Sequence, residues 1–479
     1  MWNNKKMDVQ PQESIQELIP LSAYGEKIIQ IIEGNLSPLM MRESLEDYHE
    51  KDIAEIMEHL KLPQRKKLYR VLDADFLAGV LEYLEDETAG RCLDEMDLKK
   101  ISQVLEAMET DDAVGAMGHL SKDKRSLIMD TLSEETRSSI SLTASFDEEE
   151  IGSLMTSNYI LLEEGASVKE AMSSLVEQAA KNDNISTLFV ADKEGVFAGA
   201  IDLKDLIIAR QGEKLDDLIM NAFPYVYGQE SVEDCLERLK GYSETLIPVL
   251  DTSNRMIGII TAQNVIEATD DVMGEDYAML GGLTAEEDLK EPVRESLKKR
   301  LPWLFALLFL GLIVSSVVSA FERVVSQLTV IMAFQSLVLD MAGNVGTQSL
   351  AVTIRVLTSE GLTLGQKWKL LSKEIRVGLC NGMILGGFSV LLVGVFLYIF
   401  KQQTLLFSFA VSGCIGLALL LAMLASSASG TLIPMGFKKI GVDPAVASGP
   451  LITTINDLVA VVCYYGLSGF FLLGVLHLG

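Results

Sequence analysis

Two carboxylates stand where carboxylates are expensive. Asp340 and Asp457 each fall inside a stretch long and apolar enough to cross a bilayer, and an ionisable group at that depth needs a partner or an aqueous route. Asp340, Asn344, Thr347 and Gln348 recur at helical spacing and make a polar stripe on an otherwise apolar helix. Gly343, with Ala342 and Gly346, lies beside the stripe and permits close helix approach. Upstream of Asp457, Asp443–Pro444 reads as a helix start, with Asp as N-cap and Pro at the first position. Pro450 then has no N–H for the carbonyl of Val446, which frees an acceptor inside the membrane. Asp457 follows about two turns later on nearly the same face, with Thr453 and Thr454 between. A freed carbonyl, two hydroxyls and a carboxylate are oxygen ligands, or partners for the water shell of a hard cation. Mg2+ is such a cation: it binds oxygen and usually keeps several waters. One Asp per chain, doubled by a two-fold dimer, would serve it. The stripe also reads as a packing seam joined by hydrogen bonds, and Asp457 as a structural residue beyond a proline kink. A protonatable Asp would equally suit a proton-coupled carrier, so these residues leave the ion and the mechanism open.

Five membrane helices are expected to carry these groups, at about 301–322, 327–357, 375–400, 405–434 and 445–476, the second interrupted by MAGNVGTQS and the fifth by SGPLITTIND. Lys298, Lys299 and Arg300 precede the first, Arg355, Lys367, Lys369, Lys373 and Arg376 surround the second loop, and Lys438 and Lys439 sit in the fourth. The remaining loops carry only Arg323 and Lys401. That asymmetry places the N-terminus in the cytoplasm and the C-terminus outside. Of the 67 acids and 40 Lys and Arg in the chain, residues 301–479 hold six and nine, leaving 61 and 31 in residues 1–300. The first part therefore carries −30 and the second +3, a field that argues against nucleic acid and favours cations, bound or merely solvating. The five cysteines include no CxxC and the four histidines are scattered, so neither a disulfide framework nor a transition-metal centre is expected. The N-terminus has no apolar run that could be a signal peptide.

Within the acidic part, residues 1–20 read as a polar tail and 21–146 as all helix. Leu62, Leu72, Leu84, Met96, Leu120 and Leu132 recur at intervals near 12 residues or a multiple of it. Pro63, Asp73, Glu85, Asp97, Ser121 and Ser133 follow them as helix starts, which suggests a wound array of short helices; an irregular bundle is the alternative. From 147 the pattern becomes strand, helix, two strands, helix, and then repeats. FVADKEGVFAGAIDLKDL in the first copy matches IPVLDTSNRMIGIITAQNV in the second. This duplication resembles a tandem pair of CBS modules, at 147–213 and 214–263. By that resemblance an adenine nucleotide such as ATP would bind in the cleft, with Lys204, Asp205, Thr261 and Asn264 at ribose–phosphate positions; Asp202 stands where Ser or Thr is more usual, and a purely structural pair is the alternative. Residues 264–300 read as one long connecting helix rich in acids: Glu267, Asp270, Asp271, Glu275 and Asp276. A solvated face is the plain reading of these acids, while bridging by divalent cations is the functional one.

Taken in order, DEEEIGSLMTSNYI, DMAGNVGTQSLAVTIRVL and GVDPAVASGPLITTINDLVAVVCYY make the chain resemble the MgtE family of magnesium transporters over nearly its whole length. The fold class expected is a five-helix α-helical membrane bundle preceded by an all-α superhelical N-domain and an α/β CBS pair. The resemblance implies a homodimer in the bacterial inner membrane, with a pore at the two-fold axis lined by the second and fifth helices. The family's pore acid falls on Asp457 and its Gly-Asn motif on Gly343–Asn344. The connecting helix acts as a plug that closes when cytoplasmic Mg2+ fills acidic sites between N-domain, CBS pair and plug. Thr347 replaces an Asn or Ser of the family, and an acidic position that opens the connecting helix is Asn264, next to Gln263. A coupled carrier or exporter of Mg2+, Co2+ or Mn2+ and a membrane-tethered sensor without transport are the competing expectations. An enzyme is not expected, since no nucleophile–base pair, P-loop or His cluster is present.

Overall fold

The computed structural model describes residues 24–210, 213–285, 287, 291–359, 362–446 and 449–477; the tail expected at 1–20 lies outside them. The chain separates into two units, Met1–Ala268 and Thr269–Gly479.

The first unit begins with ten short helices between Gly25 and Thr143. Their beat is set by caps. Asp73, Asp97, Ser121 and Ser133 each accept the backbone N–H three residues on, at 2.9, 3.0, 3.4 and 3.3 Å. Leu72, Met96, Leu120 and Leu132, each just before a cap, are buried in one core. Leu62 departs from the pattern: it is exposed and opens its own helix, with Pro63 behind it. Alternate helices along the chain pack on each other, which is the winding of a superhelix.

Next come two three-stranded sheets of one topology. Strands β1 (Ile160–Glu163), β2 (Thr187–Ala191) and β3 (Phe197–Asp202) form the first, with β1 parallel and β3 antiparallel to β2. Strands β4 (Val226–Tyr227), β5 (Leu246–Leu250) and β6 (Met256–Thr261) repeat it. The register slips after Val190 in one sheet and after Val249 in the other, so the duplication extends to the irregularity. Phe189 and Ala200 from the first copy share a core with Phe223, Leu246 and Ile259 from the second.

The connecting segment is not one helix. Ala262–Leu280 is helical, Gly282 takes a φ of +83°, and the next helix starts at Val293 behind Pro292. A left-handed residue and a proline each end helices. That next helix, Val293–Ala320, is the first membrane helix and begins eight residues before the expected Leu301. It takes in Lys298 and Arg300, whose charges pair with Glu295 and Glu287 at 2.7 Å, and Lys299, which pairs with Glu291.

The second, third, fourth and fifth membrane helices are Gln335–Ser359, Leu364–Ile399, Leu405–Lys439 and Gly449–Leu467. Short turns at Glu322–Gln327 and Thr329–Met332 precede the second, and a π-helical turn, Ser468–Val475, follows the fifth. MAGNVGTQS does not interrupt the second helix; its glycines sit where neighbouring side chains approach most closely. The third helix starts at Leu364 rather than 375, because Thr363 and Gln366 close a reciprocal cap there. Gly378, Gly382 and Gly386 of the third helix meet the fourth. Cβ atoms built on them would fall 2.6 Å from Ser427 Cβ, 2.8 Å from Leu420 Cα and 2.7 Å from Gly416 O. This small-residue seam brings the two backbones together. Gly386→Val should destabilise the bundle by about 1–3 kcal/mol, read as a lower thermal midpoint in detergent, while Gly387→Val, with open space at its Cβ, should not.

Candidate functional site

The second and fifth membrane helices bring the polar residues to adjacent faces. Contact is possible because the second helix is stripped to glycine where they touch. A Cβ on Gly343 would lie 3.0 Å from Thr453 Cγ2, and one on Gly346 would lie 1.8 Å from Asn456 Nδ2. Thr347 Oγ1 lies 3.4 Å from Thr453 Oγ1. Asp340, Asn344 and Gln348 stay exposed on the flank of this contact, and Asp457 is half-buried beside it. Asp340 and Asp457 are close enough for their charges to interact.

The threonines are arranged as acceptors. Thr453 Oγ1 donates to Gly449 O and Thr454 Oγ1 to Pro450 O, both at 2.9 Å, and Thr347 Oγ1 donates to Gly343 O at 3.0 Å. With each hydroxyl hydrogen spent on the preceding turn, the oxygen lone pairs are what remain to meet a hydrated cation.

The expectation for Val446 turns on the backbone at 447–448, which lies outside the described residues. Val446 lies in a 3-10 turn, Pro444–Val446, its N–H 3.2 Å from Asp443 O, while Asp443 Oδ1 accepts from Ala445 N at 2.8 Å. Asp443 therefore caps this short turn.

Asn456 is absent from the sequence-based expectations. It is fully buried, Oδ1 accepts from Ser429 Oγ of the fourth helix at 2.5 Å, and Nδ2 rests over Gly346 without a hydrogen-bond partner. Its position beside Asp457 is the one sequence signal, a second polar residue next to a carboxylate in an apolar run.

In the first unit, an acidic cluster lies elsewhere than expected. Glu109 accepts from Asn158 Nδ2 at 2.8 Å, from Asn184 Nδ2 at 3.3 Å and from Thr156 Oγ1. Glu82 accepts from Glu109 N at 2.8 Å, and Asp111 accepts from Asn264 Nδ2 at 2.6 Å. Helical-domain acids thus meet amides and hydroxyls of the CBS pair. Burial first, and then neighbouring acids, raise these carboxyls: Glu82 to about 7, Asp111 upward with Glu109 beside it, and Asp112 upward with Asp111, Glu82, Glu267 and Asp86 around it. The run Glu109-Thr-Asp-Asp is the available signal, but nothing in its spacing reveals burial.

Because these carboxyls hold protons more tightly folded than unfolded, the stability they contribute is complete below the ordinary carboxyl range and is lost as pH rises from there through their raised values, about 7 for Glu82 and higher for Asp112. Limited proteolysis of the full chain in detergent should release the helical domain faster at pH 9 than at pH 6.5, and Asp112→Asn should flatten that dependence.

Of the expected regulatory acids, Glu267 Oε1 accepts from Gln263 Nε2 at 2.5 Å, Asp270, Asp271 and Glu275 are exposed, and Asp276 is half-buried. Among the described residues no three His, Cys, Asp or Glu side chains converge to hold an ion. Of the expected nucleotide residues, Lys204 is exposed and Asp205 half-buried after β3. Thr261 and Asn264 are engaged with each other after β6, Thr261 donating N–H and O–H to Asn264 Oδ1 at 2.9 and 2.6 Å.

Comparison with known proteins agrees with this architecture. Residues 335–467 match the divalent cation transporter model of the MgtE family, 48–149 its intracellular N domain, and 151–212 and 215–271 the CBS domain. A magnesium transporter MgtE of Enterococcus faecalis is 34% identical over 68% of this chain and 70% of its own length. One of Bacillus subtilis is 27% identical over 94% of this chain and 98% of its own. The solved cytosolic domain of an Mg2+ channel MgtE in complex with ATP is 27% identical, covers 47% of this chain and 93% of that one, and superposes with a TM-score of 0.45. With five membrane-length helices behind a helical domain and a CBS pair, the chain belongs to the MgtE family of divalent cation transporters.

Proposed function

We propose that this chain carries Mg2+ across the bacterial inner membrane into the cell, as a homodimer, along a route flanked by the second and fifth helices. The observation that carries this reading is the exposed row Asp340, Asn344 and Gln348 beside the half-buried Asp457. A carboxylate and two amides facing lipid would be costly, so the row calls for a second protein surface or an aqueous path. A two-fold partner supplies both, and doubles Asp457. The hydroxyl oxygens of Thr453 and Thr454 then suit the water shell of an ion that dehydrates reluctantly. The relatives named above are magnesium transporters, which favours Mg2+ over Co2+ or Mn2+.

The basic residues flanking the membrane helices support a cytoplasmic N-terminus and acidic half. There, cytoplasmic Mg2+ acting on Glu267, Asp270, Asp271, Glu275 and Asp276 of Ala262–Leu280 closes the route. An adenine nucleotide binds the CBS pair through Lys204 and Asp205. Thr261 and Asn264, already held by one another and by Asp111, contribute less than their counterparts in the first module.

A proton-coupled carrier is the second reading, favoured by the proximity of two titratable groups, Asp340 and Asp457. Purified protein in liposomes loaded with a magnesium indicator separates them. Uptake that needs the protein and ignores a pH gradient is the expected result; gradient-dependent uptake establishes the carrier, and no uptake overturns transport.

A further inference from the structure

A third membrane acid lies behind the pathway and takes no part in it. Glu374, on the third helix, is 5% exposed. Its Oε2 lies 3.0 Å from Ser349 Oγ of the second helix, and its backbone carbonyl accepts from Ser427 Oγ of the fourth at 2.6 Å. Ser349 and Ser427 are themselves 2.9 Å apart. Three helices are thus joined at a single polar point. The point is reinforced by Gly378, one turn along, where the third helix touches Ser427, and by Thr353, fully buried one turn beyond Ser349 and donating to its carbonyl at 2.7 Å.

The direction of this tie matters. Ser349 is nine residues from Asp340, two and a half turns at about 100° per residue, so it points diametrically away from that carboxylate. A rotation of the second helix about its axis would swing Asp340, Asn344 and Gln348 off the route, and the hydrogen bonds at Ser349 oppose such a rotation. Close packing at Gly343 and Gly346 holds one flank of this helix, and the hydrogen bonds at Ser349 add a directional tie on the face opposite the polar row. An apolar residue at 374 would pack the same space at lower desolvation cost, so the buried carboxyl calls for a role other than filling volume.

We propose that Glu374 is a positioning residue for the ion pathway, bracing the second membrane helix through Ser349 and Ser427 so that its polar row faces the route. This rests on the transport reading above. Two hydroxyl hydrogens serve three oxygen–oxygen contacts, so a carboxamide at 374, which brings its own hydrogens and no charge, completes the ring.

The test is Mg2+ flux into liposomes for the parent, Glu374→Ala, Glu374→Gln, Ser349→Ala and the double alanine variant, normalised to protein eluting as a single species. Glu374→Ala and Ser349→Ala should each lose about tenfold, the scale of leaving a buried partner unpaired. The double variant should lose no more than the worse single one, since both remove one tie, and Glu374→Gln should stay within about twofold of the parent. Parent-like flux in Glu374→Ala overturns the brace, as does a Glu374→Gln variant no better than Ala. If Glu374→Ala does not fold, Ser349→Ala and Glu374→Gln still decide. A silent parent would instead defeat the transport reading itself.

Discussion

Asp457→Asn and Asp457→Ala should each abolish magnesium uptake while leaving the protein in the membrane at parental abundance. The side chain is half-buried on the fifth helix, flanked by threonine oxygens, and within Coulombic range of Asp340. At about 5 Å a carboxylate and a dication attract by ~6 kcal/mol for an effective dielectric near 20. Retained waters return part of that, yet a third of it is already about 30-fold in occupancy. Asp457→Asn keeps the shape and removes only the charge, so it isolates the electrostatic contribution. Uptake through a strain that requires magnesium supplementation, with membrane abundance measured alongside, is the readout. Normal rescue by the Asn variant would mean that charge at 457 is not what the ion meets.

Gly346→Val should have an effect of comparable size for a different reason. A Cβ there would sit 1.8 Å from Asn456 Nδ2 and 3.2 Å from Ile452 Cγ2, and from the other side a Cβ on Gly430 would sit 2.3 Å from Gly346 O. Three backbones meet with no space for a methyl group, and overpacking of a tight core costs about 1–3 kcal/mol even where side chains can yield. Here backbone and a buried amide would have to yield. The expected outcome is loss of the monodisperse species in detergent, or a folded protein without flux. Gly413→Val, also on a membrane helix but with nothing near its Cβ, should behave as the parent.

The contrast between these residues shows what makes a functional group legible in an amino-acid sequence. Asp457 is legible because a charge in an apolar run has few explanations, and the second-helix stripe because its period matches a helix turn. The CBS pair is legible because it is written twice, and the helical domain because its caps, Asp73, Asp97, Ser121 and Ser133, repeat. Asp443 is less legible, because its side chain is spent on a 3-10 turn over Pro444–Val446 where a run of α-helix is expected. The single helix expected over 264–300 fails because acids and apolar residues continue through Gly282 and Pro292, and their periodicity outweighs two breakers. Glu374 and Asn456 give little signal, since each is one polar residue whose significance depends on Ser349, Ser427 or Ser429, all far away in sequence. The cluster at Glu82, Glu109, Asp111 and Asp112 is hidden for the same reason: its hydrogen-bond donors, Asn158, Asn184 and Asn264, belong to another domain.

Access of water to position 457 is the most direct test of the whole account. With the five native cysteines replaced, Asp457→Cys and Asn344→Cys should react with a charged, membrane-impermeant thiol reagent in reconstituted protein, and millimolar Mg2+ should slow the reaction at both. A cysteine at 457 that stays inert to the reagent, with and without Mg2+, in protein that is otherwise intact, would contradict an ion route along the fifth helix.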